Sequence, residues 1–345
     1  MKKSLALVMA ALMALSMMSI SCAVAETADL GTDLNLYSTM TEGDLEALLA
    51  GFGERYPDIT VEVVSGTIGE TTSRIAAEAA DPQGDVVWGG LADSDGTQYA
   101  DLFEAWVSQH ASEAIEGYAC DNGFYSMDHL STVCFCVNTE LEAKLGLNIT
   151  SYEDLLNPAL KGQILLANPN SSSSAWNNLS NIMSVYGTDG EEAWAYIEAL
   201  MPNLVIVDSS SACFKNVQAG EYVVGLTYED GVSKLLQSGA DNIRMQYPTN
   251  GVSASAFGCG VIKGAKHEAA AKAMVDYICS VEGSTYIAQY LKTLRMTNKN
   301  TVYGAESFLP ATEDLKWVTR DVKYLTENKE AILTHWNDLI TKIQG

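Results

Sequence analysis

An α/β fold of two similar lobes is predicted by three features of the chain. Short apolar runs, read as strands, alternate with stretches of helical periodicity. At least five of those runs stop in small polar residues, and the second half repeats the alternation of the first without any fixed period.

The first unit shows the pattern in one pass. Leu34, Leu36 and Tyr37 form an apolar run that stops at Ser38, Thr39, Met40 and Thr41, so a strand ends where hydroxyls begin. Thr41 followed three residues later by Asp44 is an N-cap pattern. Leu45, Leu48, Leu49 and Phe52 then repeat at helical spacing until Gly53 and Pro57. Ile59, Val61, Val63 and Val64 make the next strand, which ends in Ser65, Gly66 and Thr67. Strand, helix and strand give a right-handed βαβ unit with both strand ends at one edge of a parallel sheet, where open α/β sheets bind ligands. A helix over 69–80 carries Thr72, Ile75, Ala76 and Ala79 on one face. Asp85, Val86, Val87 and Trp88 form a third strand leading into Gly89 and Gly90, whose missing side chains admit a ligand or another strand close to the backbone. Asp93 to Gly96 reads as a turn, because a calcium loop there would begin at Leu91.

From Tyr118 to Asn138 two strand-like runs flank Asp121, Asn122 and Gly123, which predicts a hairpin or a crossing segment. Ser151 to Asp154 cap a short helix ending at Asn157 and Pro158. A buried strand over 162–167 runs into Asn168, Pro169, Asn170 and four serines, Ser171 to Ser174. The helix over 175–186 sets free amides beside those serines, a geometry suited to anions. A helix over 191–200 precedes a strand over 204–207, followed by Asp208, Ser209, Ser210 and Ser211. Val217 to Glu221 end another helix, and a strand over 222–226 ends in Thr227, Tyr228, Glu229 and Asp230. Residues 316–343 read as helices with Trp317, Tyr324 and Trp336 on buried faces.

With 345 residues and 47% hydrophobic content the chain is globular and long enough for two domains of ordinary size. Residues 1–25 stand apart. Lys2 and Lys3, an apolar run from Leu5 to Ile20 and the end Ala23, Val24, Ala25 have the form of a secretory signal peptide, so the mature protein works outside the cytoplasm. Lipid attachment at Cys22 is the alternative mode of release from the leader. The formal charge is −24, a surface that repels nucleic acid and anionic lipid and excludes both as partners. Six cysteines follow residue 22, in no zinc spacing. Cys134 and Cys136 share one strand face, and a bridge from Cys120 to one of them competes with plain buried thiols. There is no G-x-S-x-G, H-E-x-x-H or Walker pattern, and the four histidines, His110, His129, His267 and His335, are scattered. A binding protein is therefore favoured over a secreted hydrolase.

Residues 263–283 are more specific. "KGAKHEAAAKAMVDYICSVEG", together with "LYSTMTEGDLEALLAGFGERYPDITVEVV", "SRIAAEAADPQGDVVWGG", "YEDLLNPALKGQILLANPNSSSS" and "VQAGEYVVGLTYEDG", resembles the extracellular solute-binding proteins of ABC importers, in the iron(III) or AfuA-like subgroup. The resemblance implies a periplasmic-binding-protein fold of type II. Each lobe is then a mixed sheet flanked by helices, with residues 30–133 and 252–298 in one lobe and 134–251 and 299–345 in the other. One small ligand sits in the cleft between the lobes, and the protein, a monomer without cofactor or resident metal, delivers it to a membrane permease.

For the ligand the resemblance offers two branches. The ferric branch requires adjacent tyrosines, whereas this chain has Tyr228 followed by Glu229 and Asp230. The other branch binds phosphorylated sugars or phosphonates. Ser38, Thr39, Ser65, Thr67, Ser173 and Ser174 would then hold the anion, with Ser210 at another strand end. Glu229 or Asp230 would accept bonds from sugar hydroxyls, and Trp88, Tyr37 or Tyr228 would stack on the ligand. A small polar, anionic organic solute is the expected cargo.

Overall fold

The computed structural model describes residues 29–95, 97–120 and 122–344. The expected signal peptide and the alternative lipid attachment at Cys22 fall outside the described residues, as do Gly96 and Asp121.

The first βαβ unit is β1 (Asp33–Ser38), α1 (Glu42–Arg55) and β2 (Thr60–Ser65), followed by α2 (Ile68–Ala77) and β3 (Val86–Ala92). Both helices begin with a capping box, Thr41 with Asp44 and Thr67 with Glu70, so the local hydroxyl-acid spacing supplies the amides' first acceptors. β1 lies in parallel register between β2 and β3. Next come β4 (Ser126–Asn138), α3 (Thr139–Lys144), β5 (Ile164–Ala167), α4 (Ser173–Val185), α5 (Glu191–Leu200) and β6 (Leu204–Val207). They are followed by α6 (Ala212–Gln218), β7 (Val224–Tyr228), α7 (Glu229–Gln237), β8 (Ile243–Gln246) and β9 (Ala254–Val261). The chain continues with α8 (Glu268–Cys279), α9 (Val281–Leu291), β10 (Arg295–Met296), α10 (Val322–Glu327) and α11 (Lys329–Gln344).

Strand order is β2-β1-β3-β9-β4-β7-β5-β6. The 13-residue β4 belongs to two mixed sheets. Its first part pairs antiparallel with β9, up to Thr132 opposite Ala254. Its last part, from Val133, pairs with β7 and β8. Each sheet carries its own core. One gathers Tyr37, Val87, Leu91, Phe103, Tyr125 and Leu130, the other Phe135, Tyr152, Leu165, Leu179, Val224 and Trp336. The molecule is thus two-lobed, with β4 crossing between the lobes.

Several expectations shift. The two runs between Tyr118 and Asn138 become a single strand, because the loop before it is turned by the Asn122 carboxamide, which accepts from the Phe124 and Tyr125 amides at 2.8 and 3.1 Å. Tyr228 closes β7 instead of following it, because pairing with β4 continues to Val133 opposite Tyr228. The helix expected from 175 starts two residues earlier, capped by Ser172, which accepts from the Ala175 amide at 3.2 Å. Ser173 and Ser174 are therefore in its first turn. Trp336 is buried, but Trp317 precedes α10 and Tyr324 is exposed, its hydroxyl donating to Asp189. Cys134 and Cys136 are buried thiols, so no bridge to Cys120 forms. Gly225 lets α6 lie on β7: a Cβ there would stand 1.6 Å from the Cys213 carbonyl oxygen.

Candidate functional site

On the first lobe the ends of β1, β2 and β3 stand side by side, Ser38 in register with Ser65 and with Trp88. The Ser38 hydroxyl is buried, donating to the Trp88 carbonyl at 3.0 Å and accepting from the Met40 amide at 3.1 Å. The Thr39 amide donates to the same carbonyl at 3.2 Å. Ser65 is exposed, and Thr67 spends its hydroxyl on the α2 cap, with the Glu70 carboxylate at 2.8 Å.

Trp88 and the glycines do other work than expected. Trp88 has no exposed surface, and its indole donates to Asp128 Oδ2 at 2.9 Å, so it offers no stacking face here. Tyr37 is likewise buried, 3% exposed, with its hydroxyl on Glu78. Gly89 and Gly90, at φ of +83° and +76°, form an irregularity between Trp88 and Leu91. The space above them is filled by Met40 and Thr39, whose atoms a Cβ would meet at 2.5 to 2.9 Å. They accommodate the β1 turn, not an open approach for a ligand.

On the second lobe Ser173 and Ser174 begin α4, and the Asn178 amide ties the Ser174 carbonyl to the Thr227 carbonyl, each at 3.0 Å. This brings the serine turn next to the end of β7. Tyr228 packs edge-on against Phe214 and hydrogen-bonds Ser210, and burial raises its pKa, disfavouring a phenolate. Glu229 is fully buried and committed elsewhere. Both of its oxygens accept from Arg295 Nε at 3.1 Å, and Tyr247 donates to it at 2.6 Å. That pairing stands against its reading as a ligand acceptor, since a carboxylate with no exposed surface, held by Arg295 and Tyr247, meets a solute only if this pair opens.

Asp230, next to it, remains half-buried, 3.1 Å from Lys234. Desolvation raises the Asp230 pKa, and Asp44 and Glu229 add to the rise against Lys234. Asp44 belongs to α1, so the first turns of α1 and α7 are near enough for these carboxylates to interact through space. His129 of β4 feels both Asp44 and Asp230, donates from Nδ1 to Asp128 Oδ2 over 2.8 Å, and stacks on Phe257.

Beside this meeting point a cavity of about 360 Å³ opens between the lobes. Its walls come from Ala92 at the end of β3, from Ser255 and Phe257 on β9, from Ser173, Trp176 and Asn177 on α4, and from 317–329. Of the residues expected from sequence, Ser173 alone is among its lining residues. Its charged lining residues are Arg320, Lys329 and Glu116, two cations against one carboxylate, and Arg320 went unnoticed in the sequence because nothing local marks it. Arg320 donates to Asn177 Oδ1 and Ser255 Oγ, both at 3.1 Å, and to the Ala254 carbonyl, so one guanidinium touches both lobes. Lys329 lies 5.0 Å over the Trp176 ring in the same wall. Ser173, the first residue of α4, is among the lining residues, so the helix's positive end lies at the cavity wall. Among the described residues no three of His, Cys, Asp and Glu gather where a metal ion would sit.

Comparison with known proteins agrees with this architecture. An uncharacterised protein of Haemophilus influenzae is 28% identical over 333 residues, covering 93% of this chain and 94% of its own. The solved periplasmic binding protein AfuA of Actinobacillus pleuropneumoniae, with exogenous fructose-6-phosphate bound, is 25% identical with a TM-score of 0.68, over 90% of this chain and 99% of that one. Iron-bound HitA of Pseudomonas aeruginosa shares the fold at 21% identity and the same TM-score of 0.68, again over 90% and 99%. The profile described as bacterial extracellular solute-binding protein matches residues 47–307. With two mixed-sheet lobes, a cavity between them and that match over most of its length, the chain belongs to the bacterial extracellular solute-binding protein family.

Proposed function

We propose that this protein captures a small anionic organic solute, a phosphorylated sugar or a phosphonate, outside the cytoplasm and hands it to an ABC permease. The observation that carries this reading is the position of Arg320, on an interlobe cavity beside the first turn of α4. A guanidinium and helix N-terminal amides are complementary to a phosphoryl group's charge and geometry. AfuA, similar over nearly its whole length, has fructose-6-phosphate bound, which supports the same class here. Ser173 lines the cavity, and Ser38, Thr39, Ser174, Ser210, Tyr228 and Asp230, outside its present lining, are proposed to complete the site as the lobes move about β4.

The ferric reading has less support. Tyr228 has no tyrosine beside it, and Glu229 gives both oxygens to Arg295. The lobes are proposed to divide between residues 133 and 134 and again between 251 and 252, where β4 and the chain before β9 pass from sheet to sheet. Secretion by the leader at residues 1–25, with Cys22 as the alternative anchor, and action as a monomer belong to the same proposal.

Isothermal titration of the mature protein with fructose 6-phosphate, glucose 6-phosphate, an alkyl phosphonate, ferric citrate and neutral fructose tests it. A phosphorylated or phosphonate solute should bind while fructose does not, with a decrease in radius of gyration by small-angle scattering. A visible tyrosinate-to-iron band on loading with ferric citrate, without phosphate-ester binding, would reverse the assignment.

A further inference from the structure

Cys259 lies on β9, and Cys279 is the last residue of α8, which packs on that strand. Their sulfurs are 4.0 Å apart, and both side chains are buried, 0% and 4% exposed. Nothing separates the two thiols: each faces the other and a β4 carbonyl, Ser126 for Cys259 and Met127 for Cys279. Twenty residues of chain link them, a span over which a cross-link removes substantial freedom from the unfolded state. The family to which the chain belongs acts outside the cytoplasm, where disulfides form and persist.

We propose that Cys259 and Cys279 are a disulfide-forming pair, joined as the chain matures in an oxidising compartment. Two S–H bonds break and one S–S bond forms. The two electrons pass to a small-molecule disulfide, which leaves as two thiols carrying the two protons. The exchange belongs to folding, before α8 closes over β9. Afterwards both sulfurs are out of reach of an oxidant, and burial holds the Cys259 thiol well above its ordinary pKa, starving the reaction of thiolate. Because α8 packs on β9 within one lobe, the bridge would tie a helix to the sheet of that lobe.

The test uses the mature chain, unfolded and refolded once in reduced and oxidised glutathione and once in reductant alone. The proposal expects the first product to be about 2 Da lighter, the two hydrogens lost on bridging. Alkylation after unfolding should then reach two fewer cysteines, and non-reducing peptide maps should show the segments holding Cys259 and Cys279 joined. Identical masses in both arms, or a bridge between any other pair, would overturn it. Cys259→Ser keeps a donor for the Ser126 carbonyl and should remove the mass difference; if that variant does not fold, the wild-type map alone decides. Neither arm contains the solute, so failure here leaves the ligand assignment untouched.

Discussion

Replacing Glu229 by leucine strands a buried cation. Arg295 and Glu229 are 0% and 1% exposed at their side chains, and Arg295 Nε serves both carboxylate oxygens at 3.1 Å. Once the carboxylate is gone, the guanidinium keeps only neutral partners among those described, Thr312 Oγ1 at 2.8 Å, the Pro310 carbonyl at 3.2 Å, the Tyr247 hydroxyl and the Tyr303 ring at 6.0 Å. It does not escape by shedding its proton, because an arginine's ordinary pKa is far too high, although Glu229, the main group that raises it against desolvation in the wild type, is gone in the variant. Removing one member of a buried pair costs about 3–5 kcal/mol, a large share of the roughly 5–15 kcal/mol that holds a typical domain folded.

Arg295→Met should cost somewhat less. The carboxylate left behind keeps the Tyr247 hydroxyl at 2.6 Å and can take up a proton. The double variant, with both ends apolar and of similar volume, should return to within about 1–2 kcal/mol of wild type, because the desolvation of two ions disappears with them. Urea unfolding followed by the fluorescence of the six tryptophans measures all four corners of the cycle. The reasoning fails if either single variant unfolds at the wild-type midpoint, or if the two losses simply add. It also fails if Glu229→Gln abolishes solute binding at unchanged stability, which would return Glu229 to the ligand.

Arg320→Met should weaken a phosphorylated solute by about 10- to 150-fold, the loss of one charge-assisted bond worth roughly 1.5–3 kcal/mol, while Arg320→Lys recovers part of it. Titration of each variant checks this, with melting temperature recording the separate loss of its ties to Asn177 and Ser255. Gly225→Ala should destabilise by at least about 2 kcal/mol, since its methyl would overlap the Cys213 carbonyl backbone, and thermal melts should show it. His129 supplies a pH dependence. Burial alone would lower its pKa, but the Asp128 charge and hydrogen bond, with Asp44 and Asp230, raise it overall. A folded pKa above the unfolded value of about 6.5 gives stability that is complete below that pH and lost as pH rises through the folded value. Melting temperature should therefore fall above about pH 6.5 in the wild type and stay flatter in His129→Gln, measured across matched buffers.

Local features were readable because their causes lie within a few residues. The Thr41–Asp44 box, the serine cap before α4 and the paired glycines after Trp88 depend on neighbours along the chain. The family was readable too, since its motifs run in order through both lobes. Side-chain destinations were not. Val86, Val87 and Trp88 sit in a strand buried on both faces, where no alternation says which way the indole points, and it turned to Asp128, forty residues away.

By itself, then, the sequence determined the alternation of strands and helices, the caps that start them and the kinship with solute-binding proteins. Only the tertiary structure decided that Glu229 pairs with Arg295, that Arg320 reaches the interlobe cavity, and that Cys259 meets Cys279. The physical reason is one of range. Caps and periodicity are set by contacts one helical turn apart, whereas a buried charge takes its partner from whichever strand the sheet order lays beside it.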